Sequence, residues 1–439
     1  MSEMMPLGWY SAELIKVVPK VQYGVSSSLD DGQGVPVLRM NNLHDGKIDV
    51  SDVKFSTSAE AENLLLQPND VLFNRTNSIE HVGRTSLWHG ELPRASFASY
   101  LVRLTPDLNK LDPEYLVRWL NLPQVQIAIR QFATPGVHQV NINPTNLRRT
   151  EICLPQDVRE QRKIARILTT MDHLIEKTES LIAKYQAIKQ GMMHDLFTRG
   201  VDAHGHLRPP QAEAPDLYKQ SELGWIPKEW EINRVGDYLD RIEQGWSPDC
   251  DSEPASAGEW GVLKTTAVVW DGFEWRENKR LPARLPPIPQ YEVRVDDVLM
   301  TRGGPNSRVG VVAIVRETRD KLMLSDKLYR LIPKKNLQPA YLALALSSER
   351  TQTHLSTLKT GLAESQTNIS QQIVRRLWIG VPGPEEQRRT CERITAIEKV
   401  LHTQRRSLSE FRVQKTGLMQ DLLTGKVRVK VDEAEEVAP

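Results

Sequence analysis

The chain has 439 residues, more than one ordinary hydrophobic core accommodates, so its length predicts two or more domains. Hydrophobic residues make up 39% and charged residues 26%, which excludes a disordered or membrane-embedded chain. Because the net charge is only +1, any nucleic-acid binding requires basic side chains concentrated on one face or shared with a partner.

Two regions of the chain mix strand-like and helical patterns. Residues 6–155 combine short apolar runs, such as residues 35–38 (VPVL), with turns rich in glycine, proline and asparagine. These runs predict strands, interrupted by one helical pattern near residues 113–131. The same mixture returns over residues 223–383, with a helical pattern near 339–358. We predict two α+β domains, each with a mixed sheet and helices.

A long helical pattern follows each predicted domain. Asp157 with Glu160 three residues later forms a capping box at the first helix start. Pro384 lies in the first turn of the second helix, where its missing N–H costs nothing. Gly200 and Gly425 end the two patterns, as glycines commonly do at helix C-termini.

Both helices carry an apolar seam. Its residues alternate spacings of four and three over about five heptads, which is typical of a coiled coil. They are Ile164, Leu168, Met171, Ile175, Ile182, Tyr185, Met192 and Leu196, then Ile394, Ile397, Leu401, Leu408, Phe411, Leu418 and Leu422. Polar residues interrupt both seams at matching places, Thr178 with Gln404 and Lys189 with Lys415. We predict an antiparallel coiled-coil rod with a pseudo-two-fold axis that separates the domains. The alternative is that each helix packs only on its own domain.

An internal repeat connects the two halves. Residues 69–75 (NDVLFNR) recur as residues 296–302 (DDVLMTR). The same near-constant offset relates further segments: 139–142 (QVNI) to 366–369 (QTNI), 160–162 (EQR) to 386–388 (EQR), and 191–196 (GMMHDL) to 417–422 (GLMQDL). An offset maintained over more than a hundred residues indicates a duplication.

The cysteines and the first residues bear on cellular location. Cys153, Cys250 and Cys391 are few, odd in number and far apart, which argues against a disulfide scaffold and favours a reducing cytoplasm. Residues 1–6 lack the layout of a secretion signal. No apolar run is long enough to span a membrane. We expect a cytoplasmic protein that does not bind membranes.

The boundaries of the two helices carry a family resemblance. The helix starts are residues 154–161 (LPQDVREQ) and 381–387 (VPGPEEQ), and the helix ends are 190–198 (QGMMHDLFT) and 415–426 (KTGLMQDLLTGK). With the linker 221–227 (SELGWIP) and Trp230, the chain resembles the specificity (S) subunit of type I restriction–modification systems over nearly its whole length. Two features depart from the family pattern: Thr390–Cys391 in place of the aliphatic pair at 164–165, and the acidic tail 432–436.

The resemblance implies a function in DNA recognition. Two target recognition domains would each read one half of a bipartite double-stranded site, and the helices would fix the spacer and dock partners. Two methyltransferase subunits using S-adenosylmethionine and restriction subunits using ATP with Mg²⁺ are the implied partners, and this chain would bind no cofactor itself. The implied parts are recognition domains 1–155 and 223–383, spacer helices 156–200 and 384–425, linker 201–222 and tail 426–439. A stand-alone DNA-binding or scaffold protein is the alternative.

The sequence contains no convincing catalytic motif, so we predict neither a nuclease nor a methyltransferase. Residues 143–146 (NPTN) lack the second proline and the aromatic residue of an adenine methyltransferase motif. Residues 302–305 (RGGP) lack the context of a phosphate-binding loop. His204 and His206 form the only close histidine pair and have no nearby cysteine. We assign no catalytic residue and no metal ligand.

The duplication separates structural positions from candidate DNA readers. If the two copies read different sequences, positions identical in both are structural or contact phosphate. These are Asp70/Asp297, Arg75/Arg302, Arg103/Arg330, Gln139/Gln366 and Asn141/Asn368. Arg75 and Arg302 each end a predicted strand and are the strongest candidates for proximity to DNA. They could instead form ion pairs with Asp70 and Asp297.

Polar loops that differ between the copies provide the candidate base readers. In the first copy these are Arg39, Asn41, Asn42, Asn74, Thr76, Asn77, His81, Ser99 and Tyr100. In the second copy they are Lys264, Thr265, Thr266, Thr301, Asn306, Ser307, Arg308, Asp326 and Lys327. The alternative for each residue is a solvated loop position or an internal hydrogen bond.

Arg308→Ala should alter or abolish recognition of one half-site only, because Arg308 lies in a loop that differs between the copies and arginine suits guanine O6 and N7. Methylome sequencing of a host that carries the variant with its methyltransferase measures both half-sites. If recognition of both half-sites were lost equally, or recognition of neither were changed, the placement of this loop at the DNA would be contradicted.

Overall fold

The computed structural model describes residues 6–44, 46–136, 139–359 and 367–431. Internal contacts divide the chain into two units, Met1–Glu179 with Arg406–Pro439, and Ser180–Arg405. The division passes through both long helices. Each unit therefore contains one domain, the first half of the helix that follows it and the second half of the other helix.

The first unit combines short strands and short helices with a long helix. Its strands are β1 (Trp9–Glu13), β2 (Lys20–Tyr23), β3 (Val35–Leu38), β4 (Leu43–His44), β5 (Lys47–Ile48), β6 (Lys54–Ser56), β7 (Val71–Asn74), β8 (Thr76–Asn77), β9 (Thr85–Leu87), β10 (Ser96–Phe97), β11 (Leu101–Thr105), β12 (Ala133–Pro135), β13 (Val140–Ile142) and β14 (Glu151–Pro155). Its helices are α1 (Leu14–Val17), α2 (Ala59–Asn63), α3 (Pro113–Leu120), α4 (Pro123–Arg130), α5 (Pro144–Leu147) and the first half of α6 (Val158–Thr198).

The second unit has a similar series of elements. Its strands are β15 (Tyr218–Ser221), β16 (Gly224–Pro227), β17 (Glu231–Arg234), β18 (Leu239–Gln244), β19 (Gly261–Leu263), β20 (Val268–Val269), β21 (Gly272–Phe273), β22 (Asn278–Arg280), β23 (Val298–Thr301), β24 (Gly303–Gly304), β25 (Val312–Ile314), β26 (Leu322–Met323), β27 (Leu328–Pro333), β28 (Thr367–Asn368) and β29 (Trp378–Val381). Its helices are α7 (Val235–Tyr238), α8 (Pro339–Ser347), α9 (Glu349–Lys359), α10 (Gln371–Arg376) and the first half of α11 (Pro384–Leu423).

The two main sheets have the same topology in both domains. An antiparallel sheet has the strand order β2-β11-β7-β9 in the first unit and β18-β27-β23-β25 in the second. A smaller mixed sheet places β3 between β10 and β6, and its counterpart places β19 between β26 and β22. β1 pairs with β14 and β17 with β29, directly before each long helix. The predicted α+β class and the internal repeat are confirmed.

Each domain contains two helices where the sequence predicted one helical stretch. Asn121 and Leu122 separate α3 from α4, because Pro123 restricts Leu122 to an extended conformation with φ −60° and ψ 135°. Ser348 separates α8 from α9 with φ −65° and ψ 147°. Its Oγ donates to the carbonyl of Ala345 at 2.7 Å, a local hydrogen bond that competes with helix continuation.

The core of each domain includes apolar side chains from both long helices. In the first unit, Leu168 of α6 and Leu422 of α11 are 0% and 3% exposed and belong to the core that contains Phe73. In the second unit, Leu196 of α6 and Ile394 of α11 are 1% and 0% exposed within the domain core. The alternative in which each helix packs only on its own domain is therefore wrong.

The helix segments within the first unit run antiparallel. From Asp172 to Glu179 along α6, the ion-pair partners on α11 change from Lys415 to Arg412. The predicted seam residues are all buried or half-buried, whereas Val413, outside the seam, is 71% exposed. This is the burial pattern of a coiled coil.

Ion pairs occupy one of the two polar interruptions of each seam. In the first unit, Nζ of Lys415 lies 2.6 Å from Oδ1 of Asp172, which also pairs with Arg118 of α3. In the second unit, Nζ of Lys189 lies 2.8 Å from Oε1 of Glu398. Both lysines interrupted the predicted seam, and each has a carboxylate on the facing helix.

None of the helices in the described part of the chain is long and apolar enough to cross a membrane.

Asp172→Ala should lower the free energy of unfolding at pH 7 by about 2 kcal/mol, because Lys415 loses its ion pair and Arg118, with 9% side-chain exposure, keeps Glu114 as a partner but loses Asp172. Burial alone would raise the pKa of the Asp172 carboxyl, but Arg118 and Lys415 hold that pKa below its ordinary value. A carboxylate with a lowered folded-state pKa stabilises the protein above its unfolded-state pKa of about 4. That stabilisation is lost as the pH falls through the folded-state pKa.

Urea titrations of both proteins across the acid range measure the effect, and the difference between them should shrink as the pH falls. Glu410→Ala is the control, because Glu410 and Arg406 are 53% and 76% exposed and such pairs contribute at most about 1 kcal/mol. Equal effects of the two substitutions would contradict a structural role for the Asp172 pair.

Candidate nucleic-acid interface

An aspartate–arginine pair supports the central strands of the first domain. Asn69 adopts a left-handed backbone with φ 73°, and Oδ2 of Asp70 accepts a hydrogen bond from the Gln67 N–H at 2.8 Å. The same oxygen lies 2.7 Å from Nη1 of Arg103 on β11. Arg103 also donates to the carbonyl of Leu65 at 2.9 Å. Asp70 therefore closes the turn before β7 and connects it to β11.

The second domain repeats this pair. Asp296 has φ 70°, and Oδ2 of Asp297 accepts from the Arg294 N–H at 2.9 Å and from Nη1 of Arg330 at 3.0 Å. Burial lowers the pKa of the Arg330 guanidinium, but Asp297 and Glu243 raise it above its ordinary value. The identical positions Asp70/Asp297 and Arg103/Arg330 are structural, as the comparison of the copies predicted.

Arg75 follows β7 and does not pair with Asp70, which Arg103 occupies. Its N–H donates to the carbonyl of Tyr100 at 3.0 Å, and its carbonyl accepts from the Ile142 N–H at 2.8 Å. The guanidinium carbon lies 5.3 Å from the ring centroid of Tyr23. The alternative ion pair between Arg75 and Asp70 is therefore wrong.

Arg302 follows β23 with the same backbone contacts. Its N–H donates to the carbonyl of Lys327 and its carbonyl accepts from the Ile369 N–H, both at 2.9 Å. Its guanidinium carbon lies 5.3 Å from the ring centroid of Tyr329, and Nη1 donates to the carbonyl of Asp326 at 3.1 Å. The alternative pair with Asp297 is wrong here too, because Arg330 occupies that carboxylate.

Three of the candidate readers in the first domain are buried. Asn42, Asn74 and Thr76 are 2%, 0% and 3% exposed. The Asn42 amide donates to the carbonyls of Asp49 and Asp52 at 2.7 and 2.9 Å. These side chains contribute to the internal packing of the domain, because a buried amide or hydroxyl needs its hydrogen bonds within the protein.

Other candidates in the first domain remain accessible. Asn41, His81 and Tyr100 are exposed, Tyr100 to 47%, and Asn77 and Ser99 are half-buried. Arg39 is half-buried and pairs with Asp52 at 2.8 Å.

In the second domain the structure brings the three candidate loops together. Nη2 of Arg308 donates to the carbonyl of Thr265 at 3.4 Å, which joins the loops after β23 and β19. The hydrogen bond from Arg302 to Asp326 joins the loop after β23 to the loop before β27. Loops distant in sequence therefore form one polar surface of this domain.

The side chains on this surface differ in accessibility. Thr301 is 0% exposed and Ser307 is exposed, while the others are half-buried. Nζ of Lys264 lies 3.7 Å from Oε2 of Glu277, to which Thr266 also donates. The half-buried residues are Lys264, Thr265, Thr266, Arg302, Asn306, Arg308, Asp326 and Lys327.

Sequence reasoning missed two residues of these surfaces. Tyr23 is 50% exposed, and the Arg75 guanidinium lies over its ring. In the sequence, only its position at a strand end indicated that it belongs to this surface. Nζ of Lys359 donates to the carbonyl of Val309 at 3.0 Å, and burial lowers its pKa. Gln366 and the acidic tail 432–436 lie outside the described residues.

A glutamine in each helix-start motif attaches the helix to its domain. Oε1 of Gln161 accepts from the Asp112 N–H at 2.8 Å, and its amide donates to the carbonyls of Lys110 and Pro155 at 2.8 and 2.9 Å. Gln387 makes the corresponding contacts with the Gln338 N–H at 3.0 Å and with the carbonyls of Asn336 and Pro382 at 3.2 and 3.0 Å.

The preceding glutamate binds the segment that follows the other long helix. Glu160, predicted to complete a capping box, accepts from the Trp9 indole at 3.4 Å and from Nη2 of Arg428 at 2.6 Å. In the second unit, Glu386 accepts from Trp230 at 3.1 Å and from Nη1 of Arg208 at 2.7 Å. The helix-start motifs therefore have a structural role.

Comparison with known proteins gives the family. The model of the type I restriction modification DNA specificity domain matches residues 14–185 and 227–409. The chain belongs to this family. The two matches coincide with the duplicated halves, and the resemblance drawn from the helix boundaries is confirmed.

Individual relatives agree with this assignment. The EcoEI specificity subunit of Escherichia coli is 42% identical over 177 residues, 40% of this chain and 30% of that subunit. The putative MjaX specificity subunit of Methanocaldococcus jannaschii is 26% identical over 437 residues, 97% of this chain and 95% of that subunit. The S subunit structure from M. genitalium covers 96% of this chain and 97% of its own, with a TM-score of 0.60 and 14% identity, a likeness of fold.

Family membership makes the chain a type I specificity subunit, a non-catalytic component that recognises DNA sequence. Within the described part of the chain, no group of three or more His, Cys, Asp or Glu side chains could hold a metal ion.

Arg103→Met should lower the free energy of unfolding by about 3 kcal/mol, because it leaves Asp70, 13% exposed, without its counter-charge. Urea denaturation measures the effect. Arg94→Met is the control, since Arg94 and Glu62 are 51% and 54% exposed and should change stability by less than about 1 kcal/mol. A loss no greater than in the control would mean that the Asp70 pair is not structural.

Proposed function

We propose that this specificity subunit reads a bipartite double-stranded DNA site, with one half recognised by each domain. The proposal rests on the structural frame that both domains share, which consists of an aspartate–arginine pair and the central strands that it connects. Asp70–Arg103 and Asp297–Arg330 hold the same strands in both units, while the loops beside them differ. A common frame with different exposed side chains suits two readers that dock similarly and recognise different bases.

The proposed boundaries follow the sequence divisions. Residues 1–155 and 223–383 are the recognition domains, 156–200 and 384–425 the spacer helices, 201–222 the linker and 426–439 the tail. The long helices fix the spacer between the half-sites. A lysine–carboxylate ion pair between the two helices in each unit supports this role, because such pairs select one helix register.

The proposed partners are two methyltransferase subunits, which use S-adenosylmethionine, and restriction subunits, which use ATP and Mg²⁺. A cytoplasmic location is part of this proposal. In the second unit, a cavity of about 1200 Å³ between the long helices and the domain is lined by Trp270, Lys399 and His402. Trp270 is 49% exposed, and an exposed aromatic side chain of this kind suits a protein partner.

Tyr100→Ala and Lys327→Ala should change different halves of the methylated motif, because these residues occupy matching positions beside Arg75 and Arg302. Each substitution should relax its own half-site and leave the other half and the spacer unchanged. Methylome sequencing of a host that expresses each variant with the methyltransferase subunit measures all three. Arg94→Ala is the matched surface control.

Two results would contradict the proposal. If both variants changed the same half-site, the two domains would not read separate halves. If the wild-type chain produced no motif-specific methylation with its methyltransferase, yet bound a specific duplex alone, the stand-alone DNA-binding alternative would replace it. The modest net charge of +1 favours the multi-subunit function, because phosphate neutralisation supplies much of the affinity for DNA.

A further inference from the structure

Arg75 and Arg302 occupy equivalent positions in the two domains. Each follows the strand after the aspartate turn, and each donates and accepts one backbone hydrogen bond at matching positions. Each is half-buried, and its guanidinium carbon lies 5.3 Å from a tyrosine ring centroid. The Nε atoms of both are buried and have no hydrogen-bond partner in the described parts of the chain.

These two guanidinium groups also lack a counter-charge. Arg103, Arg118 and Arg330 all lie beside carboxylates. For Arg75 and Arg302, by contrast, no ion pair is present within the residues that the structure describes, and Asp70 and Asp297 already pair with other arginines. Because a charge removed from water is normally paired, each domain presents a positive group available for an external anion.

The aromatic support comes from different strands in the two domains. Tyr23 on β2 faces Val102 on β11, and the corresponding cross-strand pair in the second domain is Gln244 with Tyr329. Each domain therefore has one tyrosine in this cross-strand pair, but the tyrosine lies on β2 in the first domain and on β27 in the second. A tyrosine inherited unchanged from the duplication would lie on the same strand in both domains. An aromatic ring beside the arginine is therefore a feature that both sites share, whichever strand supplies it.

The side chains beside the two arginines differ. Thr76–Asn77 follows Arg75, whereas Gly303–Gly304 follows Arg302, and Tyr100 in the first domain corresponds to Lys327 in the second. A residue that reads bases would be expected to vary with its neighbours. A contact with the DNA backbone has the same geometry for every sequence and can remain identical.

We infer that Arg75 with Tyr23 and Arg302 with Tyr329 form two matched phosphate-binding sites, one in each domain, which position the DNA backbone without reading its sequence. The inference rests on the proposed function and adds the chemical role of these residues. A planar guanidinium binds a phosphate through two parallel hydrogen bonds. The tyrosine ring is a positioning group that holds the guanidinium through a cation–π contact.

Salt dependence of DNA binding tests the phosphate sites. The full-length chain, with its methyltransferase subunits, is titrated with a duplex carrying its methylated motif and with a scrambled duplex of equal length. Arg75→Ala and Arg302→Ala should each reduce the slope of log binding constant against log salt concentration by about 0.9, equally on both duplexes. Arg75→Lys should retain the slope, which separates loss of charge from a folding defect.

Arg276→Ala is the matched control. Arg276 also lies over an aromatic ring, 4.5 Å from the centroid of Trp275, but it pairs with Glu274 at 3.5 Å. Its removal should leave the slope unchanged. Tyr23→Leu should weaken binding about two- to fivefold at fixed salt, whereas Tyr23→Phe should bind as the wild type does.

The outcomes distinguish this inference from the proposed function. If the wild type prefers its motif but Arg75→Ala and Arg302→Ala leave the slope unchanged or alter the motif, the phosphate sites are contradicted and the proposed function stands. If the wild type shows no preference, yet both substitutions reduce the slope, the phosphate sites are supported and sequence reading fails. If the wild type binds neither duplex at low salt, both proposals are contradicted.

Discussion

The carboxylate of Glu160, only 3% exposed at the start of α6, requires hydrogen bonds and a positive charge, because a buried unpaired charge is costly. Arg428 supplies that charge from the segment after α11. Glu386 has the equivalent requirement in the second unit, and Arg208, from the segment after α6, satisfies it. Each domain is therefore complete only when the end of the other long helix is in place. The arginine that pairs with each glutamate lies far from it along the chain.

This arrangement separates the parts of each domain that are constrained from those that can vary. Helix attachment depends on buried groups such as Gln161 and Gln387, whose amides satisfy several backbone groups at once. Replacing any of these groups leaves polar atoms unsatisfied in the interior. The polar loops beside the central strands carry no such requirement where they reach the surface. They can therefore differ between the two domains while the strands and ion pairs beneath them remain the same.

The long helices show a related balance between apolar packing and charge. Most seam side chains near the middle of each helix are only half-buried, and leucine-rich contacts alone tolerate several registers. A lysine in the seam opposite a carboxylate removes that ambiguity, because a shift along the helix would separate the pair and leave both charges partly buried. Asp172–Lys415 and Lys189–Glu398 are the two instances. They are related by the same duplication as the domains.

The sequence alone showed the duplication, the two long helices with their apolar seams and the family. Repeated motifs and heptad spacing can be recognised from the order of the residues, without knowing which distant segments are in contact. Partner choice required the tertiary structure. Asp70 could pair with Arg75 or with Arg103, and only the antiparallel register of β7 and β11 brings Arg103 to it. Tyr23 approaches Arg75 from a strand distant in sequence. Asn74 looked like a surface reader but is 0% exposed. Burial and pairing depend on which distant segments meet, and no local pattern encodes that.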